Sequence, residues 1–411
     1  MSEDETYRLY RVPVVLPLSS PPLLDGAVLT LKGRVAALGP YREIKKACGG
    51  IELASESDYE GHVLVPALVN AHSHLELACL EGVREELKPR AGDMVGWIRR
   101  LLASRGDDEA RERTRDAALL ALARLYAGGC RTVIDIGNDP AASTLGEDFK
   151  SAVFFHLELL GLCGQAEEQG LARLAAVEPG ICCTGHAPYS TGAGLLRALK
   201  GRAAGRECLF PIHLAESADE VEFIATGGGP FRPFLQERGV DLSAFTPPGL
   251  TPVAWLDTLG VLDERTLCVH GVHVEPDDVA LLASRGAGVC LCPGANRYLG
   301  VGKAPLPLFL EHGIVPALGT DSLAGNDAIS LWREMKIVRE DHPSVTPETV
   351  LKMATMAGAR LLGLESETGV IAPGVSSALP AVVCPQVSSG VEATVEYLTT
   401  AGDQLRLEWI E

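Results

Sequence analysis

Eight short apolar runs recur along the chain, at 64–72, 130–137, 152–160, 181–187, 208–214, 266–271, 287–293 and 314–320, and this rhythm constrains the fold more than any single residue. Each run is β-rich and too short for a buried helix, which reads as strand. Between most of them lie segments of helical periodicity and helix-favouring composition, such as Asp108 to Ala127 and Glu275 to Ser284. Strand and helix alternating eight times predict an α/β fold, a (β/α)8 TIM barrel. In that architecture the chemistry belongs at the C-terminal ends of the strands.

A barrel of about 250 residues does not use up 411. Residues 1–65 read as short strands broken by Pro and Gly, among them Gly26–Leu31 and Arg34–Gly39. The tail from 366 returns to that style at Ala381–Cys384 and Glu392–Leu398. The expectation is a small β-sandwich-like domain built from 1–65 plus 366–411, beside a barrel at 66–365. The longest irregular piece, 217–256, follows the fifth run and reads equally as a lid or substrate wall and as a surface excursion.

The formal charge of −18 argues against nucleic acid or an anionic membrane as partner. No apolar run approaches the roughly 20 residues needed to span a bilayer. The start, Met1-Ser2-Glu3-Asp4-Glu5, is acidic where a signal peptide is basic, so a cytoplasmic location is expected. The 11 cysteines are odd in number and lie mostly in apolar runs, as Cys182-Cys183 and Cys290 do. Reduced core thiols are expected, with Cys290-Leu291-Cys292 as strand packing.

The first run closes on His72-Ser73-His74. Imidazoles at i and i+2 of an extended segment point to one side and can reach one metal ion. A lone His-x-His arises by chance, but the pattern recurs: the fifth run ends in His213-Leu214-Ala215-Glu216, the sixth in His270, the eighth in Asp321.

Taken in order, Pro66–Glu76, His186-Ala187-Pro188-Tyr189-Ser190, His213–Glu216, His270–His273, Cys292–Asn296 and Gly319-Thr320-Asp321-Ser322 resemble the amidohydrolase superfamily. The likeness is strongest to its branch of nucleoside and nucleobase deaminases and chlorohydrolases, and it runs through nearly the whole chain. It implies His72, His74, His213 and Asp321 as metal ligands, with water in the remaining position. The fourth run, Ile181 to His186, lacks the lysine that bridges two metals in some members, so one divalent ion, Zn2+ or Fe2+, is expected. Such an ion lowers the pKa of its water toward ~7. Glu216 would shuttle the proton to a ring nitrogen and the leaving amine, His270 would hold the hydroxide, and Asp321 would double as proton acceptor. The plain alternative for Glu216 is a carboxylate opening a helix.

His186 matches the histidine that contacts the heterocycle in family nucleoside deaminases; a buried histidine bonded to a backbone carbonyl is the other reading. Glu76 faces the substrate if the extended conformation persists beyond His74. Glu158, Ser322 and Arg297 are further substrate-binding candidates, and Trp97 either walls a flat ring or packs as core. His273 reads as a supporting or packing residue.

The resemblance implies hydrolytic deamination of an adenine-type nucleoside. In wording the motifs are most similar to the aminodeoxyfutalosine deaminase group of the menaquinone pathway, ahead of deaminases of adenosine, methylthioadenosine and adenosylhomocysteine. Methylthioadenosine and adenosylhomocysteine deaminases carry a ribose-binding glutamate just after the Trp-containing stretch, whereas Ile98 to Gly106 holds no carboxylate. Arg99, Arg100 or Arg297 is expected to pair with a benzoate carboxylate. The alternatives are a chlorohydrolase or a guanine or cytosine deaminase on the same site, a cyclic-amide hydrolase, and an inactive binding protein on the same fold. The expected partner is a small heterocyclic substrate, and a homodimer is a common family assembly.

Overall fold

The computed structural model describes residues 6–104, 109–148 and 150–410. Its strands in chain order are β1 (Tyr7–Val15), β2 (Leu23–Leu31), β3 (Arg34–Pro40), β4 (Leu53–Asp58), β5 (His62–Leu64), β6 (Leu68–Ser73), β7 (Cys130–Gly137), β8 (Ala152–Leu159) and β9 (Cys182–Gly185). There follow β10 (Phe210–Leu214), β11 (Thr266–His270), β12 (Gly288–Leu291), β13 (Ala317–Leu318), β14 (Leu379–Val383) and β15 (Leu407–Ile410). All eight expected runs contain a strand, β6 to β13. They form two four-stranded sheets, β6-β7-β8-β9 and β10-β11-β12-β13, the latter with parallel pairings throughout. β6, β10 and β11 are buried at every residue, which is why they read as unbroken apolar runs rather than as alternating ones.

The ladder is not continuous around a closed barrel. At one junction the His213 N–H donates to the His186 carbonyl at 3.0 Å. At the other the His72 carbonyl accepts from the N–H groups of Thr320 and Asp321 at 3.0 and 3.1 Å, and Ser73 and Asp321 form an isolated parallel bridge. Pro66 divides the first run, so that β5 joins another sheet, and the eighth run keeps only two residues in strand conformation.

Two compact units emerge: residues 1–70, 124–132 and 330–411, and residues 71–123 and 133–329. The expected boundary at 365/366 thus differs from this grouping, in which the helices Leu331–Asp341, Pro347–Met353 and Met356–Leu361 belong with the terminal segments. The terminal segments do not make a sandwich. They build one seven-stranded mixed sheet, in the order β15-β14-β5-β1-β2-β3 with β4 on β1. Its apolar cluster includes Tyr10, Val12, Leu64, Leu379 and Ile410.

Three other expectations are corrected. Val391–Thr400 is a helix, because Thr394, Val395, Leu398 and Thr399 are buried at helical spacing and override the β-branched composition. The stretch 217–256 is largely helical, with Ala218–Thr226, Phe231–Glu237 and Pro252–Thr258 punctuated by Gly227 in the left-handed region at φ 70°. Cys182 and Cys208 are joined in a disulfide, while the other nine cysteines are free and eight of them buried. Asp108 and the acidic start Met1–Glu5 lie outside the described residues; the helix after Asp108 is described over Glu109–Ala127. Among the described residues, no helix is long and apolar enough to cross a membrane.

Gly319 lets the last of these strands approach the first. A Cβ there would lie 2.7 Å from the His72 Cβ and 2.9 Å from the His72 nitrogen. Gly319→Ala is therefore expected to destabilise the fold by ~1–3 kcal/mol, read from urea midpoints, and to displace His72, read as lost metal stoichiometry.

Candidate active site

The polar strand ends converge within the second unit. His72 and His74 come from the end of β6 and the residue after it, His213 from β10, His270 from the last position of β11, and Asp321 from the turn after β13. His74 Nε2 and His213 Nε2 are 3.1 Å apart, and Asp321 Oδ1 lies 3.7 Å from His74 Nε2 and 3.8 Å from His72 Nε2. The ligand atoms of His72, His74 and His213 lie within 4.8 Å of one another, as do those of Glu216, His270 and Asp321.

Hydrogen bonding fixes which nitrogen faces inward. The Nδ1–H of His74 donates to the Ile136 carbonyl at 3.0 Å, that of His213 to the His186 carbonyl at 2.8 Å, and that of His270 to Asn296 Oδ1 at 3.0 Å. Each leaves Nε2 with a lone pair aimed at the cluster. Burial pushes His213 down to about 4 and His270 to about 3, with neighbouring imidazoles adding to it, and drives His72 well below its ordinary value. All three are neutral at neutral pH, the form that ligates a metal. His270 Nε2 is buried without a hydrogen bond, 3.5 Å from Glu216 Oε1. Burial lifts Asp321 to about 7 and Glu216 well above the carboxylate range, Asp321 adding to the latter. A dication would reverse both shifts, so the donor set fits one divalent ion.

Several supports have no motif in the sequence. Asp135, at the end half of β7, accepts from the Leu75 N–H at 2.8 Å and the Ser73 hydroxyl at 3.2 Å, and so anchors the turn that carries His74. Burial raises its pKa to about 8. Glu220, fully buried, accepts from the N–H groups of Ala215 and Glu216, both at 3.0 Å. Ala215, His270 and Asp321 have φ of 50°, 75° and 54°, in the left-handed region that non-glycine residues avoid. Strain of this kind gathers where a site over-determines the backbone. The Cys292 ligand atom also lies within 4.8 Å of those of His72 and His270, which places it beside the site rather than in strand packing alone.

His74, His213, Glu216, His270 and Asp321 line a cavity of about 420 Å³, within the usual range for small-molecule sites. Glu76, Trp97, Glu158, His186 and Ser322 all line it. Glu76 arrives by another route than extension, since the chain turns into a 3-10 helix at Leu75, and its Oε2 accepts the Asn138 N–H at 2.9 Å. Glu158 Oε2 accepts from Asn138 Nδ2 at 3.2 Å, and His186 Nδ1 lies 2.8 Å from the Ser190 hydroxyl. Trp97 donates its Nε1–H to the Ala324 carbonyl at 3.2 Å. His273 donates to the Val301 carbonyl at 2.9 Å, a packing role.

The arginines do not fall where the sequence suggests. Arg297 is exposed on the helix Pro293–Leu299, away from the cavity lining. Arg99 pairs with Glu237, and Arg100 donates to the Leu87 carbonyl. The cavity instead presents Arg173 and Arg238, and the 217–256 stretch contributes Phe234, Leu235 and Val240 as wall. The helical spacing of these residues was the signal available in the sequence.

A model of the amidohydrolase family matches residues 63–401. The chain belongs to the amidohydrolase family. It is 31% identical over 353 residues to an aminodeoxyfutalosine deaminase of Deinococcus radiodurans, covering 82% of this chain and 81% of that one. Among solved structures it resembles Helicobacter pylori aminofutalosine deaminase in complex with methylthio-coformycin, at TM-score 0.81 and 21% identity over 98% of this chain and 97% of that one. It also resembles a zinc-bound adenosine deaminase of Xanthomonas campestris, at TM-score 0.79 and 22% identity over 96% and 89%. As an amidohydrolase the chain is a hydrolase of C–N bonds.

His213→Ala should abolish stoichiometric metal binding. Asp135→Ala should weaken it by about 10–100-fold through loss of the anchor for His74, read by metal content after dialysis against graded chelator.

Proposed function

We propose that this amidohydrolase deaminates an adenine-type nucleoside hydrolytically, with aminodeoxyfutalosine first among the substrates and adenosine, methylthioadenosine and adenosylhomocysteine after it. The observation that carries the reading is the buried Glu216 carboxylate, 3.5 Å from His270 Nε2 and within reach of Asp321, in the lining of the cavity. The identity to the Deinococcus radiodurans deaminase supports the substrate class.

His72, His74, His213 and Asp321 would hold one divalent cation, taken to be zinc with ferrous iron as the alternative. β9 ends in Thr184-Gly185 and carries no lysine to bridge a second ion. When bound, the cation supplies Lewis-acid activation of water at neutral pH. Glu216 takes one proton of the attacking water and delivers it to the ring nitrogen. The Nε2 of His270 holds the water in line, its ring fixed by Asn296. Asp321 takes the second proton of that water and passes it to the leaving amino group, which departs as ammonia while the carboxylate is restored. His186, braced by Ser190, contacts the heterocycle, and Glu76 with Glu158 offers acceptors to the sugar in place of the carboxylate missing from 98–106. The apolar wall around Trp97 excludes water from the reacting ring.

Ammonia release from zinc-loaded enzyme, measured across aminodeoxyfutalosine, the three other adenine nucleosides, guanine and cytosine, tests the reading. Release is expected from the adenine nucleosides, fastest from aminodeoxyfutalosine; release from guanine or cytosine alone, or none at full metal occupancy, refutes it. Glu216→Gln should keep the metal while lowering kcat by about 10²–10⁴-fold. A variant that turns over at the parent rate removes Glu216 from the proton path.

A further inference from the structure

Glu220 takes no part in the mechanism above, yet it is fully buried in the first turn of the helix Ala218–Thr226, just beyond the strand β10 that carries His213. Ser217 caps that helix, its hydroxyl accepting the Glu220 N–H at 3.2 Å. Ser217-Ala218-Asp219-Glu220 therefore has the sequence form of a capping box, in which the glutamate reaches back to the N–H of the cap residue. Here the side chain reaches past the cap. Its Oε1 accepts the Ala215 N–H and its Oε2 the Glu216 N–H, both at 3.0 Å.

The consequence lies in the peptide group that joins Ala215 to Glu216. Its N–H is held by Glu220, and its carbonyl accepts the His273 N–H at 2.8 Å. Bonds at both edges of that planar group stop it from rotating, so the Cα from which the Glu216 side chain departs has one setting. Ala215 supplies the bend: at φ 50° its left-handed conformation brings two successive N–H groups onto one anion. The exit of β11 is tied to the same place, because the Gly271 N–H donates to the Leu214 carbonyl at 3.0 Å. His270, the residue before Gly271, holds its Nε2 3.5 Å from Glu216 Oε1.

We propose that Glu220 is a positioning residue for the reaction, setting the Glu216 carboxylate against His270 through its hold on the Ala215 and Glu216 N–H groups. The catalytic part of Glu216 rests on the deaminase reading above; the clamp on its backbone does not. A helix cap alone contributes to stability and leaves the rate untouched. A positioning carboxylate acts on kcat, because displacement of a reacting group costs rate steeply. The isosteric amide is no substitute for it: the amide oxygen accepts one N–H, while the NH2, a donor, meets the other.

The test compares the zinc-loaded parent with Glu220→Gln and Ser217→Ala. The readouts are kcat and KM for ammonia release from the adenine nucleoside turned over fastest, metal content, urea midpoint and crystal structure. Glu220→Gln is expected to lower kcat by about 10–100-fold with KM and metal content retained, and to move the Glu216 carboxylate by about 0.5 Å or more. Ser217→Ala removes the cap and should lower the urea midpoint with kcat unchanged. Glu220→Asp keeps the charge on a shorter arm and should recover part of the rate; it carries the comparison if the amide variant does not fold. In the Glu216→Gln background, Glu220→Gln should cost no further activity. An amide variant with the parent kcat, a loss of kcat matched by Ser217→Ala, or a Glu216 carboxylate that has not moved overturns the positioning role. Because the crystal structures need no turnover, failure to release ammonia counts against the deaminase reading alone.

Discussion

The carbonyl of His72 is the point on which the site depends. It accepts the N–H groups of Thr320 and Asp321, so the backbone of the first histidine of the proposed ligand set also positions the last member of that set. This double use requires β13 to lie against β6 with no side chain between them, a requirement met by Gly319. The carboxylate of Asp321 then lies 3.8 and 3.7 Å from the imidazole Nε2 atoms of His72 and His74. One local approach of two strands thereby fixes the relative position of His72 and Asp321, about 250 residues apart in the chain.

The rest of the centre is arranged around imidazoles held neutral. Burial supplies the neutral state, and two backbone carbonyls and one amide oxygen supply its orientation. The carboxylates follow the reverse logic: burial opposes their charge, and backbone N–H groups are spent on holding Glu220 and Asp135 rather than Glu216. Glu216 is thus left with a displaced proton affinity beside His270, which suits a group that takes up and returns a proton.

Much of this was legible in the sequence. Buried parallel strands appear as uninterrupted apolar runs, and the residue that ends each run is marked by its contrast with what precedes it, so His72, His213, His270 and Asp321 stand out. Helical walls are harder to read, because a stripe at spacing three or four mixes with exposed charges: Phe234 and Leu235 were hidden among Arg232, Gln236 and Glu237. For the same reason Arg99 looked eligible for a ligand, since sequence does not say which guanidinium already has Glu237 as a neighbour. Asp135 lay inside an apolar strand with no spacing to announce it. At the termini, Thr and Val in 391–400 spoke for strand until burial on one helical face outweighed them.

Left-handed backbone at Ala215, His270 and Asp321 sets a limit on how far this protein can be tuned. Glycine would relieve the conformational cost, ~1 kcal/mol or more at each position, but at His270 and Asp321 the relief would remove the functional side chain with the strain. The remaining β10–β13 sheet must carry that debt in every descendant of the sequence. Gains in heat tolerance are therefore to be sought in the terminal sheet and the outer helices, and substitutions that merely loosen the strand ends will trade catalytic order for durability.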